Sequence, residues 1–210
     1  MSVPPSVLVT WGIMLALSVF CGLATRRLSR SPGPLQTALE GIVMAMIDAI
    51  ESVLPGMGET LLPFIGTLWL FILISNLAGL VPGLSSPTAD LSVTASLAFL
   101  VFLSVHGYGI RSEGLSRYLA HYTRPSPILL PFHLISEISR TVALAVRLFG
   151  NIMSLETAAL LALLVGGFLV PVPLLLLHVI EALVQSYIFG MLALIYVSGA
   201  IESRQRSPNE

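Results

Sequence analysis

Charged side chains are absent from five long stretches of this 210-residue chain: Pro5 to Ala24, Thr60 to Ala89, Leu91 to Ile110, Thr157 to Ile180 and Ala182 to Ile201. Each reaches the ~20 residues that a helix needs to cross the hydrocarbon core of a bilayer, so the pattern predicts five membrane crossings. A different periodicity fills the gap after the first. Leu35, Ala38, Leu39, Ile42, Val43, Met46, Ile47, Ile50 and Leu54 recur at helical spacing, with Thr37, Glu40, Asp48 and Glu51 opposite. This describes an amphipathic helix, suited to the cytoplasmic interface of a membrane or to packing on a neighbouring subunit. Pro55, Gly56 and Gly58 interrupt it. The run "VPGLSSPTAD" forms a tight turn, and Asp90 is placed to cap the third span at its N-terminus.

The last third reads differently. A helix starting at Pro127 meets no strong breaker before Gly166 and Gly167. From Pro127 to Val165 it would extend ~58 Å, about twice the hydrocarbon thickness, so it must tilt steeply or begin in the cytoplasm. A further helix runs from Pro171 or Pro173 to about Glu202. The fold expected is therefore an all-α integral membrane protein in a single membrane domain, residues 1–210. Its transmembrane helices lie at 5–25, 60–81 and 90–110, with an amphipathic interfacial helix at 35–54. The helices at 127–165 and 171–202 form a long tilted hairpin. There is no internal repeat and no low-complexity segment.

Composition strengthens this picture: 55% of the residues are hydrophobic and 10% charged, where a soluble domain has roughly 25% charged. All ten basic residues are Arg. Arg26, Arg27 and Arg30 follow the first span, Arg111, Arg117 and Arg124 follow the third, and Arg204 and Arg206 lie near the end. Basic residues mark cytoplasmic segments, so the N-terminus is expected outside and the C-terminus in the cytoplasm. Two arginines follow the first span and none precedes it, the reverse of a secretory signal, so that span is expected to be retained. A net charge of −1 without a basic cluster excludes nucleic acid as a partner. The single Cys21 precludes an internal disulfide.

Arg140 and Arg147 are left unexplained by topology. Ionisable residues at the bilayer centre cost roughly 2.5–3.5 kcal/mol each and by default mark ion or substrate paths. The hairpin holds many polar groups: Glu137, Arg140, Arg147, Asn151 and Glu156 on its first arm, His178, Glu181 and Gln185 on its second. At 100° per residue Arg140, Arg147 and Asn151 share a face within about 40°, whereas Glu156 points about 180° from Arg147, ~13.5 Å along the axis. A hairpin turning at Gly166 and Gly167 pairs residues whose numbers sum to about 333, which sets Arg147 level with Gln185 and Glu156 level with His178. Arg147 alone could clamp backbone carbonyls, and His178 alone could be a packing residue. Together with Glu156 and Glu181 they point to an ion path. His106 and His121 read as interfacial, and Ser75 and Asn76 as bonds between helices.

The segment "SRTVALAVRLFGNIMSLE" resembles the signature of subunit a, the membrane stator of F-type ATP synthases, as does the ending "QSYIFGMLALIYVSGAIE". The segments "NLAGLVPG" and "SPTADLSVTASLAF" resemble it too, so the likeness covers roughly Leu61 to Glu202. It implies that Arg147 is the essential arginine facing a rotating ring of c subunits, lined by Asn151 and Gln185. Glu156 and His178 fall on positions of the half-channel from the outside, with Glu181 an extra carboxylate there. The candidate cytoplasmic half-channel holds His133, where the family has an acid, together with Glu137 and Arg140. The resemblance implies a bacterial inner-membrane location and, as partners, the ring, the peripheral-stalk b subunits and the rest of the complex. It implies no cofactor, no metal and no catalysis by this chain alone, and neither a Walker-type motif nor any Lys is present. A self-contained transporter would usually show repeats with broken helices, and an intramembrane protease would need a Ser–His dyad or HExxH.

Overall fold

The computed structural model describes residues 5–26, 33–81, 84, 86–114, 130–167 and 172–202. Among them are six helices: α1 (Pro5–Arg26), α2 (Pro34–Val53), α3 (Gly58–Ala78), α4 (Leu91–Glu113), α5 (Leu130–Gly166) and α6 (Val172–Glu202), with a 3-10 turn at Pro87–Ala89 and no strand. Five of these, all except α2, are long and apolar enough to cross a membrane. The expected starts at Pro127 and Pro171, the loop residues His121, Arg117 and Arg124, and Arg27, Arg30, Arg204 and Arg206 lie outside the described residues.

Local chemistry sets the boundaries. Pro34 opens α2 at a position whose missing N–H leaves no bond unmade. After Val53 the chain turns through Gly56, whose φ of 78° disfavours any residue with a Cβ. The chain returns at Gly58, where a Cβ would lie 2.8 Å from Glu51 Cγ, so α2 and α3 meet closely because this residue has no side chain. Asp90 caps α4, and Gly114 with φ 79° ends it. α5 spans 37 residues, or ~55 Å.

α3 is the centre of the bundle. Its Leu61, Ile65, Leu68, Trp69 and Ile72 are buried, chiefly against Phe189, Ala193, Leu194 and Val197 of α6. α1 buries only Ile13 and leaves Leu8, Trp11, Leu15, Val19 and Leu23 outward. A surface this apolar is stable where lipid surrounds it.

The hairpin register differs from the sequence expectation. Asn151 Nδ2 donates to Gln185 Oε1 at 2.9 Å, and the Arg140 guanidinium lies 5.6 Å from the centre of the Tyr196 ring. Both pairs sum to 336, so the turn is centred one to two residues later than Gly166 and Gly167. The reason is that the connection is longer than a two-residue turn: α5 ends at Gly166, Gly167 leaves it with φ 74°, and α6 begins only at Val172, so the midpoint lies past the two glycines. Arg147 is thus level with the buried Phe189, and Gln185 belongs to Asn151.

The α3–α6 contact supplies a stability test. Trp69 donates its indole N–H to Tyr187 O at 3.2 Å and stacks on the Tyr187 ring, and a Cβ at Gly190 would run into the indole. Gly190→Ala is expected to cost about 1–3 kcal/mol by overpacking, lowering the melting temperature of the detergent-solubilised protein. Gly199→Ala, with nothing within 4 Å of its Cβ, is the control and should not lower it.

Candidate functional site

α5 divides into two faces. Leu144, Leu148 and Ile152 are buried, while Ser136, Arg140, Ala143, Arg147, Gly150 and Ser154 are exposed at alternating steps of four and three. That spacing suits a helix that meets another helix at a shallow angle, and small residues on such a face allow close backbone approach within a membrane. Two arginines interrupt the seam. Arg140 rests over Tyr196. Arg147 is exposed and has no hydrogen bond or ion pair among the described residues.

Nine residues beyond Arg147, ~13.5 Å along the helix, lies a buried polar cluster that four elements build. Glu156 Oε1 of α5 accepts from Ser86 N at 3.0 Å. The carboxylate reaches that amide because Gly79 has no side chain: a Cβ there would lie 2.7 Å from Glu156 Oε1. Ser86 Oγ donates to Ser75 O at 2.8 Å and lies 2.6 Å from Thr88 Oγ1, which donates to Asn76 Oδ1 at 2.6 Å. From α6, His178 Nε2 is 3.0 Å from Asn76 O. A backbone carbonyl can only accept, so Nε2 carries the hydrogen and Nδ1 keeps the lone pair of the neutral ring. Glu156 and His178 are within electrostatic reach but share no direct hydrogen bond. Asn76 Nδ2, Ser75 Oγ and Gln185 Nε2 are buried without a protein partner among the described residues. Leaving such atoms unsatisfied costs ~1–3 kcal/mol each.

On the other side of Arg147, ten residues back and ~15 Å along the axis, Glu137 Oε2 lies 3.9 Å from His106 Nε2 of α4. Of the other residues singled out from sequence, Glu181 is half-buried with no hydrogen bond or ion pair among the described residues. The His133 side chain lies outside them. Among the described residues no three His, Cys, Asp or Glu side chains gather as a metal site would require. Ser86, Thr88 and the His106 contact were not singled out for the ion path from sequence. The one signal was the polar run "SSPTAD" directly after a span containing Ser75 and Asn76.

Asp90 ties this end of the bundle together. Its carboxylate accepts from Ser6 Oγ of α1 at 2.7 Å and from Ser92 N at 2.9 Å. These bonds, the one from Ser6 first, hold its carboxyl below the usual aspartate range. A lowered folded-state pKa means stability present above the unfolded value, ~3.9, and lost as pH falls through the folded one. Asp90→Ala should therefore cost about 1 kcal/mol at neutral pH, as a lost cap does. Melting curves of wild type and variant should converge in acid below that range; a constant gap across pH would exclude the charged cap.

A family profile described as ATP synthase A chain matches residues 7–198. The chain is 60% identical to ATP synthase subunit a 2 of Pelobacter propionicus, over 100% of this chain and 93% of that protein. It is 62% identical to ATP synthase subunit a 1 of Hahella chejuensis, over 97% and 86%. To ATP synthase subunit a of Legionella pneumophila it is 59% identical, over 95% and 87%.

Proposed function

This chain belongs to the ATP synthase A chain family, and we propose that it provides the two offset half-channels and the fixed arginine through which ions reach and leave the rotating c-ring. It is a multi-pass membrane protein of an F-type ATP synthase, acting in ATP synthesis and ion transport. The observation that carries the mechanism is Arg147: an exposed cation, unpaired among the described residues, on the small-residue seam of a spanning helix. Facing lipid alone it would cost ~2.5–3.5 kcal/mol. A partner helix bearing a carboxylate removes that cost, and the ring supplies one.

The sequence of steps follows from charge. Ions reach the polar cluster of Glu156, His178, Ser86 and Asn76 from outside and load a ring carboxylate, which crosses the lipid neutral. On its return the carboxylate meets Arg147, whose charge favours the ionised form, and the ion leaves toward Glu137 on the cytoplasmic side. Arg suits this position because its guanidinium remains protonated even when buried. The cation also repels ions that would leak between the half-channels. Each charge moved is worth about 2.3 kcal/mol per 100 mV, which repeated steps deliver to ATP synthesis elsewhere in the complex. The chain itself performs no catalysis. With its N-terminus outside and its C-terminus in the cytoplasm of a bacterial inner membrane, it sits against the ring and the peripheral-stalk b subunits.

Disulfide trapping tests the face. With Cys21 replaced, a cysteine at Gly150, where a Cβ meets nothing within 4 Å, should cross-link to a cysteine on the outer helix of the ring subunit. A cysteine at Leu148, fully buried, should not. Absence of the Gly150 cross-link with an assembled complex would remove the seam as the ring contact.

A further inference from the structure

His106 lies on α4, toward the end that carries Arg111, and its ring is pinned. Nδ1 is 2.9 Å from Phe102 O, and the ring packs on Phe102 at 4.3 Å between centroids. The Phe102 carbonyl can only accept, so Nδ1 holds its hydrogen whether the imidazole is neutral or charged, and Nε2 is the atom that gains and loses a proton. Nε2 is also the atom 3.9 Å from Glu137 Oε2. That separation is too long for a direct hydrogen bond and suits one bridging water or a small rotation. Both side chains are partly exposed, at 27% and 19%, so the pair reaches from the α4–α5 contact to the surface.

From this geometry we infer that His106 and Glu137 form the proton exit of the inner half-path, with His106 the group that hands the proton to cytoplasmic water. This rests on the reading of Arg147 above. A proton released beside Arg147 binds the Glu137 carboxylate and passes to neutral His106 Nε2. It leaves the imidazolium for water, and both groups return to their starting state. Along their own helices the neighbouring titratable residues are Tyr108 and Arg111 on α4 and His133 and Arg140 on α5, and the Arg140 guanidinium lies over Tyr196 of α6.

The test is passive proton conduction through vesicles holding the assembled complex, read against cytoplasmic-side pH. Wild type should show a one-proton inflection. His106→Gln should lose the inflection and conduct about 100-fold more slowly, as for a removed proton-transfer group; His106→Glu should restore conduction without it. A flat wild-type profile, a His106→Gln profile unchanged from wild type, or conduction that requires sodium would each overturn the inference. If Arg147→Ala blocks pumping while His106→Gln behaves as wild type, this exit alone is wrong. If Arg147→Ala pumps normally, the underlying reading fails as well.

Discussion

Arg147→Ala in the assembled complex is expected to abolish ATP-driven ion pumping into membrane vesicles. The size of the effect follows from electrostatics. A guanidinium ~4 Å from a carboxylate, at an effective dielectric of ~20, favours the ionised form by ~4 kcal/mol. That is about three pKa units, or roughly a 1000-fold change in the tendency of a loaded carboxylate to release its ion. Without Arg147 the carboxylate returns still loaded, and the barrier between the two half-channels loses its charge. Arg140, the neighbouring cation on the same seam, does not take its place, because it is engaged with Tyr196. Arg147→Lys should fall between: an ammonium is a compact charge that loses its proton more readily when desolvated, so its pumping should weaken further as pH rises. Stability should change little in either variant, since the side chain makes no hydrogen bond or ion pair among the described residues. An Arg147→Ala complex that pumps with full coupling would exclude the mechanism.

Why Arg147 could be picked out by eye, and the groups around it only in part, has a physical explanation. A span announces itself because charge is excluded from lipid, so the helices were legible as charge-free runs. By the same rule each ionisable residue inside a run was an anomaly, which brought out Arg147, Glu156 and His178. Ser86, Thr88 and Asn76 carry no such signal. Short polar side chains are unremarkable in a loop or between helices, and these converge only because the Pro87–Ala89 turn folds back onto the end of α3. His106 sits where a histidine is ordinary, and only the packing of α4 on α5 brings it to Glu137. The register failed for a different reason. α5 ends at the expected glycines, but α6 begins only at Val172, so the pairing shifts by one to two residues and Gln185 came to Asn151 in place of Arg147.

Glu156→Gln should give the second large effect, with ion delivery from the outside falling about 100-fold, as expected when a proton-transfer group is removed. The substitution separates charge from shape. A glutamine carbonyl oxygen can still accept from Ser86 N, so the bond that Glu156 makes at 3.0 Å survives, and only the ionisable group is lost. If pumping continued at the unaltered rate, Glu156 would be a structural acceptor for the 86–88 turn and the outer path would run elsewhere. Gly79→Ala approaches the same carboxylate from the other side. Its Cβ would stand 2.7 Å from Oε1, forcing the carboxylate off Ser86 while leaving the ionisable group in place, so delivery should slow by less than in Glu156→Gln. Access can be read directly, with Cys21 replaced and a cysteine placed at 156 or 178. Water-soluble thiol reagents should label either one from the outer face, because both positions lie in the proposed outer path. Complete protection of both would mean that no aqueous path reaches the cluster, and the outer half-channel would have to be sought on another face of α5.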